Sequence, residues 1–197
     1  RDISALGAIP GLVMVEPSCA AEVAPLLAHC LDVTPGSAYM RLVSVPWPVP
    51  FALPADYEPV EGKGVALTEG GDAVLFAYGP VTLGEAVKAA DILRTRHGIG
   101  LKVLNLPWLN RVDPAWLEKA VDGIREVFTV DDHYLDGGQG TMICAVLAEA
   151  GLGGERTIRR FGLTEVPRCG TNDEVLAVHG LDAESLVSEI ARTLSGS

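Results

Sequence analysis

The sequence predicts an α/β protein, with a mostly parallel sheet covered by helices on both faces, preceded by a partial α/β domain and a Pro-rich linker. Three observations lead there. From about residue 64 onward, short apolar runs alternate with helical segments that are apolar along one face, the pattern of successive βα units. Residues 1–43 show the same alternation in an α-β-α-β order that is too short for an independent domain. Between them, residues 44–64 carry Pro46, Pro48, Pro50, Pro54 and Pro59, which remove backbone donors and stiffen the chain. The expected division is therefore 1–43, an incomplete domain; 44–64, an extended linker crossing a surface; and 65–197, the main domain.

Residues 2–8 read as a short helix capped by Asp2 and ended by Ile9-Pro10-Gly11. Residues 12–15 are an apolar run expected as a buried strand. Pro17-Ser18 then opens a helix with Ser18 as its cap, and Val23, Leu26, Leu27, Cys30 and Leu31 keep helical spacing along one face. Thr34-Pro35-Gly36-Ser37 is a turn, and 38–43 a second strand. In the main domain, 65–68 and 73–78 flank Glu69-Gly70-Gly71-Asp72 and read as a hairpin. A helix is expected from Thr82, a strand over 101–106, and a helix at Asp113-Pro114 with its cap and N1 proline in place. A strand over 127–130, a helix from Gly140, a strand over 157–161, a short helix over 172–179 and a final helix capped by Asp182 complete the alternation.

Bulk properties narrow the function classes. The 197 residues are 48% hydrophobic and 21% charged, enough for a sizeable core and unlike a disordered chain. The net charge of −11 argues against nucleic acid, whose phosphates need clustered Lys and Arg, and against an anionic membrane surface. No apolar stretch approaches the ~20 residues needed to span a bilayer. The N-terminus shows no basic region followed by an apolar run, so no signal peptide is read, and a start at Arg1 suggests an internal start. Cys19, Cys30, Cys144 and Cys169 have no C-x-x-C spacing, so no zinc site is expected, and they suit a reducing cytoplasm.

The segment most suggestive of chemistry is FTVDDHYLDGGQGT, residues 128–141, where a strand runs into a Gly-rich turn and then a helix. A helix N-terminus behind such a turn offers free N–H groups to an anion, which makes Gly137, Gly138 and Gly140 candidates. The turn is not G-x-G-x-x-G, and Asp131, Asp132 and Asp136 oppose an anion, so a purely structural turn is the competing reading. His133 lies at the carboxyl end of the strand, the edge where ligands gather in open α/β sheets, or else is a loop histidine bonded to a neighbour. Trp108 and Arg111, in PWLNRVD, are residue types favoured as anchors between subunits. Cys169 has no histidine nearby to act as its base, there is neither G-x-S-x-G nor a Walker loop, and adjacent Asp131, Asp132 and His133 are poorly spaced for one metal.

Several short motifs, in consistent order, resemble the transketolase family. Asp2-Ile3-Ser4-Ala5-Leu6, Ile9-Pro10-Gly11-Leu12, Val15-Glu16-Pro17 and Tyr39-Met40-Arg41-Leu42 resemble the end of its pyrimidine-binding domain. Val103-Leu104-Asn105-Leu106, Thr129-Val130-Asp131-Asp132-His133, Gly137-Gly138-Gln139-Gly140 and Arg160-Phe161-Gly162 look like its C-terminal domain. The same pair of domains occurs in 1-deoxyxylulose-5-phosphate synthases and in beta subunits of 2-oxo-acid dehydrogenases. The resemblance implies thiamine diphosphate and magnesium in the complete enzyme, both held by domains that do not match this chain. It therefore implies no catalytic residue and no metal ligand here, a partner carrying the cofactor-binding domains, and a role in packing and homodimer contacts. Arg41 belongs to the matching motif, but Ser44 stands where transketolases commonly place an arginine for the sugar phosphate, which weighs against a phosphorylated substrate. The alternatives are a free-standing α/β module binding a nucleotide or anion at the 137–140 turn, a structural subunit, and a beta-type dehydrogenase subunit.

Overall fold

A computed structural model describes residues 2–196. Two sheets are present. β1 (Val13–Val15) and β2 (Ala38–Met40) form a two-stranded parallel sheet, joined by α2 (Ala20–Ala28) and preceded by α1 (Asp2–Gly7). α2 widens into a π-helical turn over His29–Val33. The larger sheet has the order β3-β5-β4-β6-β7, made of β3 (Val65–Ala66), β4 (Ala73–Ala77), β5 (Leu101–Asn105), β6 (Glu126–Tyr134) and β7 (Thr157–Leu163). All its pairings are parallel except that of β3 with β5.

The alternation of apolar runs and amphipathic helices sets this architecture. β4 is wholly buried, so both faces of AVLFA need a cover. Ala73, Leu75 and Ala77 meet α3 (Gly79–Ile92) and α7 (Ala183–Ser195) through Leu83, Ala86, Leu186 and Ile190. On the opposite face, Val74 and Phe76 meet α4 (Pro114–Ala120) and α5 (Gln139–Glu149) through Leu117, Ile143 and Leu147. Val13, Val15 and Leu26 of the N-terminal segment share that second cluster. α6 (Asn172–Val178) carries a capping box between Thr171 and Glu174 and buries none of its residues.

The hairpin expected between 65–68 and 73–78 does not form. β3 pairs antiparallel with β5, and β4 lies on the far side of β5. The intervening loop crosses the start of β5, where Gly70 lies against the Gly100 backbone and Gly100 N–H donates to Asp72 at 2.7 Å. A side chain at position 70 would meet that backbone, so the glycines permit a crossing rather than a tight turn. Cap assignments shift as well. Cys19 rather than Ser18 precedes α2, and Asp2 lies inside α1. Leu27 and Leu31 are 45% and 72% exposed, since α2 rests on one narrow side and the π turn rotates the residues after it.

α7 is held by a group remote in sequence. Asp182 precedes it but makes no side-chain cap bond, and the Ala183 N–H instead donates to Glu85 Oε2 on α3 at 2.9 Å. Glu85 also pairs with Lys88 at 2.6 Å. Glu85→Ala is expected to destabilise the chain by about 1–2 kcal/mol, the range of a lost helix cap, read as a lower midpoint in guanidinium unfolding at unchanged slope. Glu85→Gln, which keeps an acceptor, should recover most of it.

The linker runs over the surface without regular structure between residues 41 and 64. Trp47 lays its indole N–H edge against Gly84 of α3, and Phe51 packs on the α3/α7 side of the core. Tyr57 reaches back to Glu22. No described helix is long and apolar enough to cross a membrane.

Candidate functional site

In the larger sheet, the connection from β4 runs to β5 on one side, and β6 lies on the other side of β4. The strand order thus reverses beside β4, and the crevice outside the carboxyl ends of β4 and β6 is where a ligand would enter such a sheet. Here the crevice is filled by the chain itself. β1 approaches the loop after β5, with Glu16 N–H donating to Pro107 O at 2.9 Å and Leu109 N–H to Met14 O at 2.8 Å. That places Glu16, just after β1, and Arg41, just after β2, over the ends of β4 and β6.

Arg41 joins three segments. Its Nη1 donates to Glu16 Oε2 at 2.9 Å and to Asp132 Oδ1 at 2.5 Å, and its Nε lies 3.2 Å from Asp2 Oδ2. Tyr39 OH donates to the same Asp2 oxygen at 3.1 Å. Tyr78, 1% exposed, donates to Asp131 at 3.0 Å and contacts Asp132 at 3.2 Å. Three carboxylates, of Asp2, Glu16 and Asp132, therefore surround one guanidinium, and Asp131 is joined to them through Tyr78. Burial, with Asp132 alongside, pushes the Glu16 carboxyl up to about 8 against the opposing pull of Arg41. Burial acts against the Arg41 charge, yet Asp132 and Glu16 outweigh it and hold the guanidinium above its ordinary value. Burial raises Asp2 too, but Arg41 and the Tyr39 hydroxyl leave it below the usual carboxylate range.

An internal carboxylate caps one helix N-terminus at this edge, and the carboxyl of Glu16 packs against the other. Asp131 accepts from Gln139 N–H at 2.8 Å and Gly140 N–H at 3.0 Å, the first turn of α5. Burial still holds Asp131 above its ordinary value despite those two donors. At the start of α3, Gly79 has φ +66°, and the Glu16 carboxyl packs directly on its Cα, so glycine supplies both the left-handed turn and the room.

Gly137, Gly138 and Gly140 do form the strand-to-helix turn, but the Gly140 N–H, with that of Gln139, donates to Asp131, and the Gly137 N–H donates to Thr141 Oγ1 at 3.3 Å. A side chain at Gly138 would meet the Asp131 carboxyl and the Tyr134 carbonyl, and one at Gly140 would meet Thr129 Oγ1 first and Asp131 next. His133 is 2% exposed and its Nδ1 lies 2.9 Å from Tyr134 O, so it faces the interior rather than an open crevice. Arg41 is in the site and Ser44 is exposed on the linker. Trp108, read as an anchor between subunits, is wholly buried within the chain. It donates to Lys63 O at 3.0 Å and lies edge-on to His29 at 4.8 Å. Arg111 binds inward as well, to Leu12 O at 3.2 Å and Glu61 at 3.4 Å. Both residues tie the N-terminal segment to the main sheet.

Glu16, Asp131 and Tyr78 were not legible as site residues, since Glu16 only ends an apolar run and Asp131 reads as a repulsive charge. An open cavity of about 340 Å³ beside the turn is lined by Ile3, Ser4, Leu109, Asn110, Gly137 and Thr141. Its main polar walls are engaged: Asn110 binds Met14 N–H and Leu12 O, and the Thr141 hydroxyl donates to Leu135 O.

Comparison with known proteins places the chain. Residues 62–186 match the family described as transketolase, C-terminal domain. A Methanocaldococcus jannaschii protein named as a transketolase C-terminal section is 28% identical over 191 residues, covering 96% of this chain and 58% of that protein. One of the subunits of an apulose-4-phosphate transketolase from Actinobacillus succinogenes is 29% identical over 188 residues, covering 94% and 58%. A solved split-gene transketolase, an inactive β4 tetramer, superposes with a TM-score of 0.87 at 25% identity over 98% of this chain and 61% of that one. The chain thus spans somewhat more than half the length of these relatives.

Proposed function

The chain belongs to the transketolase C-terminal domain family, and on that footing we propose that it is the C-terminal portion of a transketolase-like, thiamine-diphosphate-dependent transferase. Residues 1–43 act as the end of a pyrimidine-binding-type domain, 44–64 as the linker and 65–197 as the C-terminal domain. A partner section carries the cofactor-binding domains. This chain contributes domain packing and homodimer contacts rather than catalytic groups. Four unpaired cysteines support a reducing, cytoplasmic setting.

The observation that carries this reading is the filled crevice. The diphosphate of the cofactor does not fit at the carboxyl edge of the five-stranded sheet, because Asp131 occupies the α5 N-terminus and Glu16 packs on the first residue of α3. An anion there would face Asp2, Glu16, Asp131 and Asp132 across one arginine. Thiamine diphosphate and magnesium accordingly belong to the complete enzyme. A relative named as one subunit of a transketolase and a solved split-gene transketolase support a separate partner section.

Calorimetric titration of the chain with thiamine diphosphate and magnesium is the direct test. No binding heat is expected from the chain alone, and cofactor binding with ketol transfer is expected once the partner section is added. Stoichiometric heat from the chain alone would overturn the assignment.

A further inference from the structure

We propose that Glu16, Arg41 and Asp132 form a proton-operated latch that holds the N-terminal segment, residues 2–43, in the crevice of the five-stranded sheet at neutral pH and loosens it in alkali. One ion pair, Arg41 with Asp132, spans the junction, and Glu16 packs across it on Gly79. Arg41 Nη1 is shared between Glu16 at 2.9 Å and Asp132 at 2.5 Å, and Nε faces Asp2 at 3.2 Å. Asp131 is coupled to the same group through Tyr78. Two of these contacts lie within the N-terminal segment, while Asp132, Asp131 and Tyr78 belong to the main sheet. One guanidinium balances one carboxylate, so the remaining charge is met by water or by a proton. The side chains of Asp2 and Asp132 are 31% and 23% exposed and are relieved by water, whereas that of Glu16 is 2% exposed and is not. Glu16 is therefore the carboxyl that keeps its proton.

The groups facing Glu16 are Arg41 and Tyr39 from the β2 strand and its end, Asp2 from α1, Tyr78 from the end of β4, and Asp132 from β6, with Asp131 behind Tyr78. All but Arg41 are acids, so every further ionisation in the hub opposes that of Glu16. Deprotonation releases the Glu16 proton to water and leaves an uncompensated buried carboxylate across the junction. The folded chain holds this proton well above the ordinary glutamate value of 4.5, up to about 8. The stabilisation is thus complete below about 4.5 and is lost progressively as pH rises through about 8.

The experiment follows the glutamate side-chain carboxyls by 13C NMR and backbone hydrogen exchange by mass spectrometry across neutral to alkaline pH, corrected for the intrinsic exchange rate. One glutamate resonance, missing in Glu16→Gln, should titrate near 8. Peptides containing Val13–Val15 and residues 107–109 should lose protection about tenfold between neutral pH and the alkaline end, while Ala73–Ala77 stays protected. In Glu16→Gln the N-terminal peptides should be flat with pH. Asp132→Asn, which removes the carboxylate that shares Nη1 of Arg41 with Glu16, should move the glutamate titration down by more than one unit and also flatten the response. The latch is overturned by a Glu16 resonance titrating in the ordinary carboxylate range, or by equal alkaline loss of protection in the wild type and both variants.

Discussion

Glu22→Ala is expected to destabilise the chain by about 3–5 kcal/mol, the largest loss of any single side chain in the junction. Glu22 is 0% exposed, and its carboxylate has donors on every side. Oε2 accepts from Ser18 N–H at 2.6 Å and Ser18 Oγ at 2.7 Å. Oε1 accepts from Tyr57 OH at 2.8 Å and Asn105 Nδ2 at 2.9 Å. These donors come from the start of α2, from the linker and from the end of β5. Truncation strands the Ser18 N–H, the Ser18 hydroxyl and the Tyr57 hydroxyl and leaves Asn105 Nδ2 only its 3.2 Å contact with Ser18 Oγ, and each unmet buried group costs about 1–3 kcal/mol before relaxation and partial hydration. Glu22→Gln keeps the shape but turns one acceptor into a donor facing donors, and should recover less than half of the loss. Guanidinium unfolding followed by tryptophan fluorescence reads both variants. A loss below about 1 kcal/mol for the alanine variant would show that water replaces the carboxylate at no great cost.

Asp131→Ala is expected to cost about 3–4 kcal/mol and, unlike the first variant, to be partly rescued by added anions. Removing the carboxylate frees the Gln139 and Gly140 N–H groups at the head of α5 and leaves Tyr78 OH only the 3.2 Å contact with Asp132. Tens of millimolar inorganic phosphate should then raise the unfolding temperature of the variant and leave the wild type unchanged. A wild type that phosphate also stabilises would revive the reading of residues 137–140 as a native anion site. No rescue of the variant would show that the neighbouring carboxylates close the turn to anions even when Asp131 is gone.

The fold was legible where burial is two-sided. AVLFA and LKVLN, flanked by helices with apolar stripes, point to a parallel sheet from the residues alone, and the order of elements followed. The pairing of β3 was not legible, because two strands separated by a Gly-rich stretch look alike whether the loop turns back or crosses a third strand. The length of β6 was hidden for a different reason. Asp131, Asp132 and His133 read as loop residues, yet β6 continues through them to Tyr134, its register against β7 shifting between Val130 and Tyr134. Charge at a strand end can be absorbed by contacts from distant segments, and no local pattern announces Arg41 or Tyr78 arriving there. The 137–140 turn shows the same limit. Its glycines read as a sharp turn open to an anion, whereas Asp131 accepts the N–H groups of Gln139 and Gly140 from within the chain.

The linker has a consequence for how the two ends of the chain stay together. Residues 54–56 are exposed and lie between Phe51, which packs on the α3/α7 core, and Tyr57, which binds Glu22. On one side of that stretch, the N-terminal segment is fastened to the main sheet by the β1 contacts with residues 107–109, by the Arg41 hub and by Asn105. A protease nick there would sever the covalent path without removing any of these fastenings. The two fragments should therefore migrate as one species on gel filtration and part only in denaturant, which makes the peptide connection dispensable for cohesion once folding is complete.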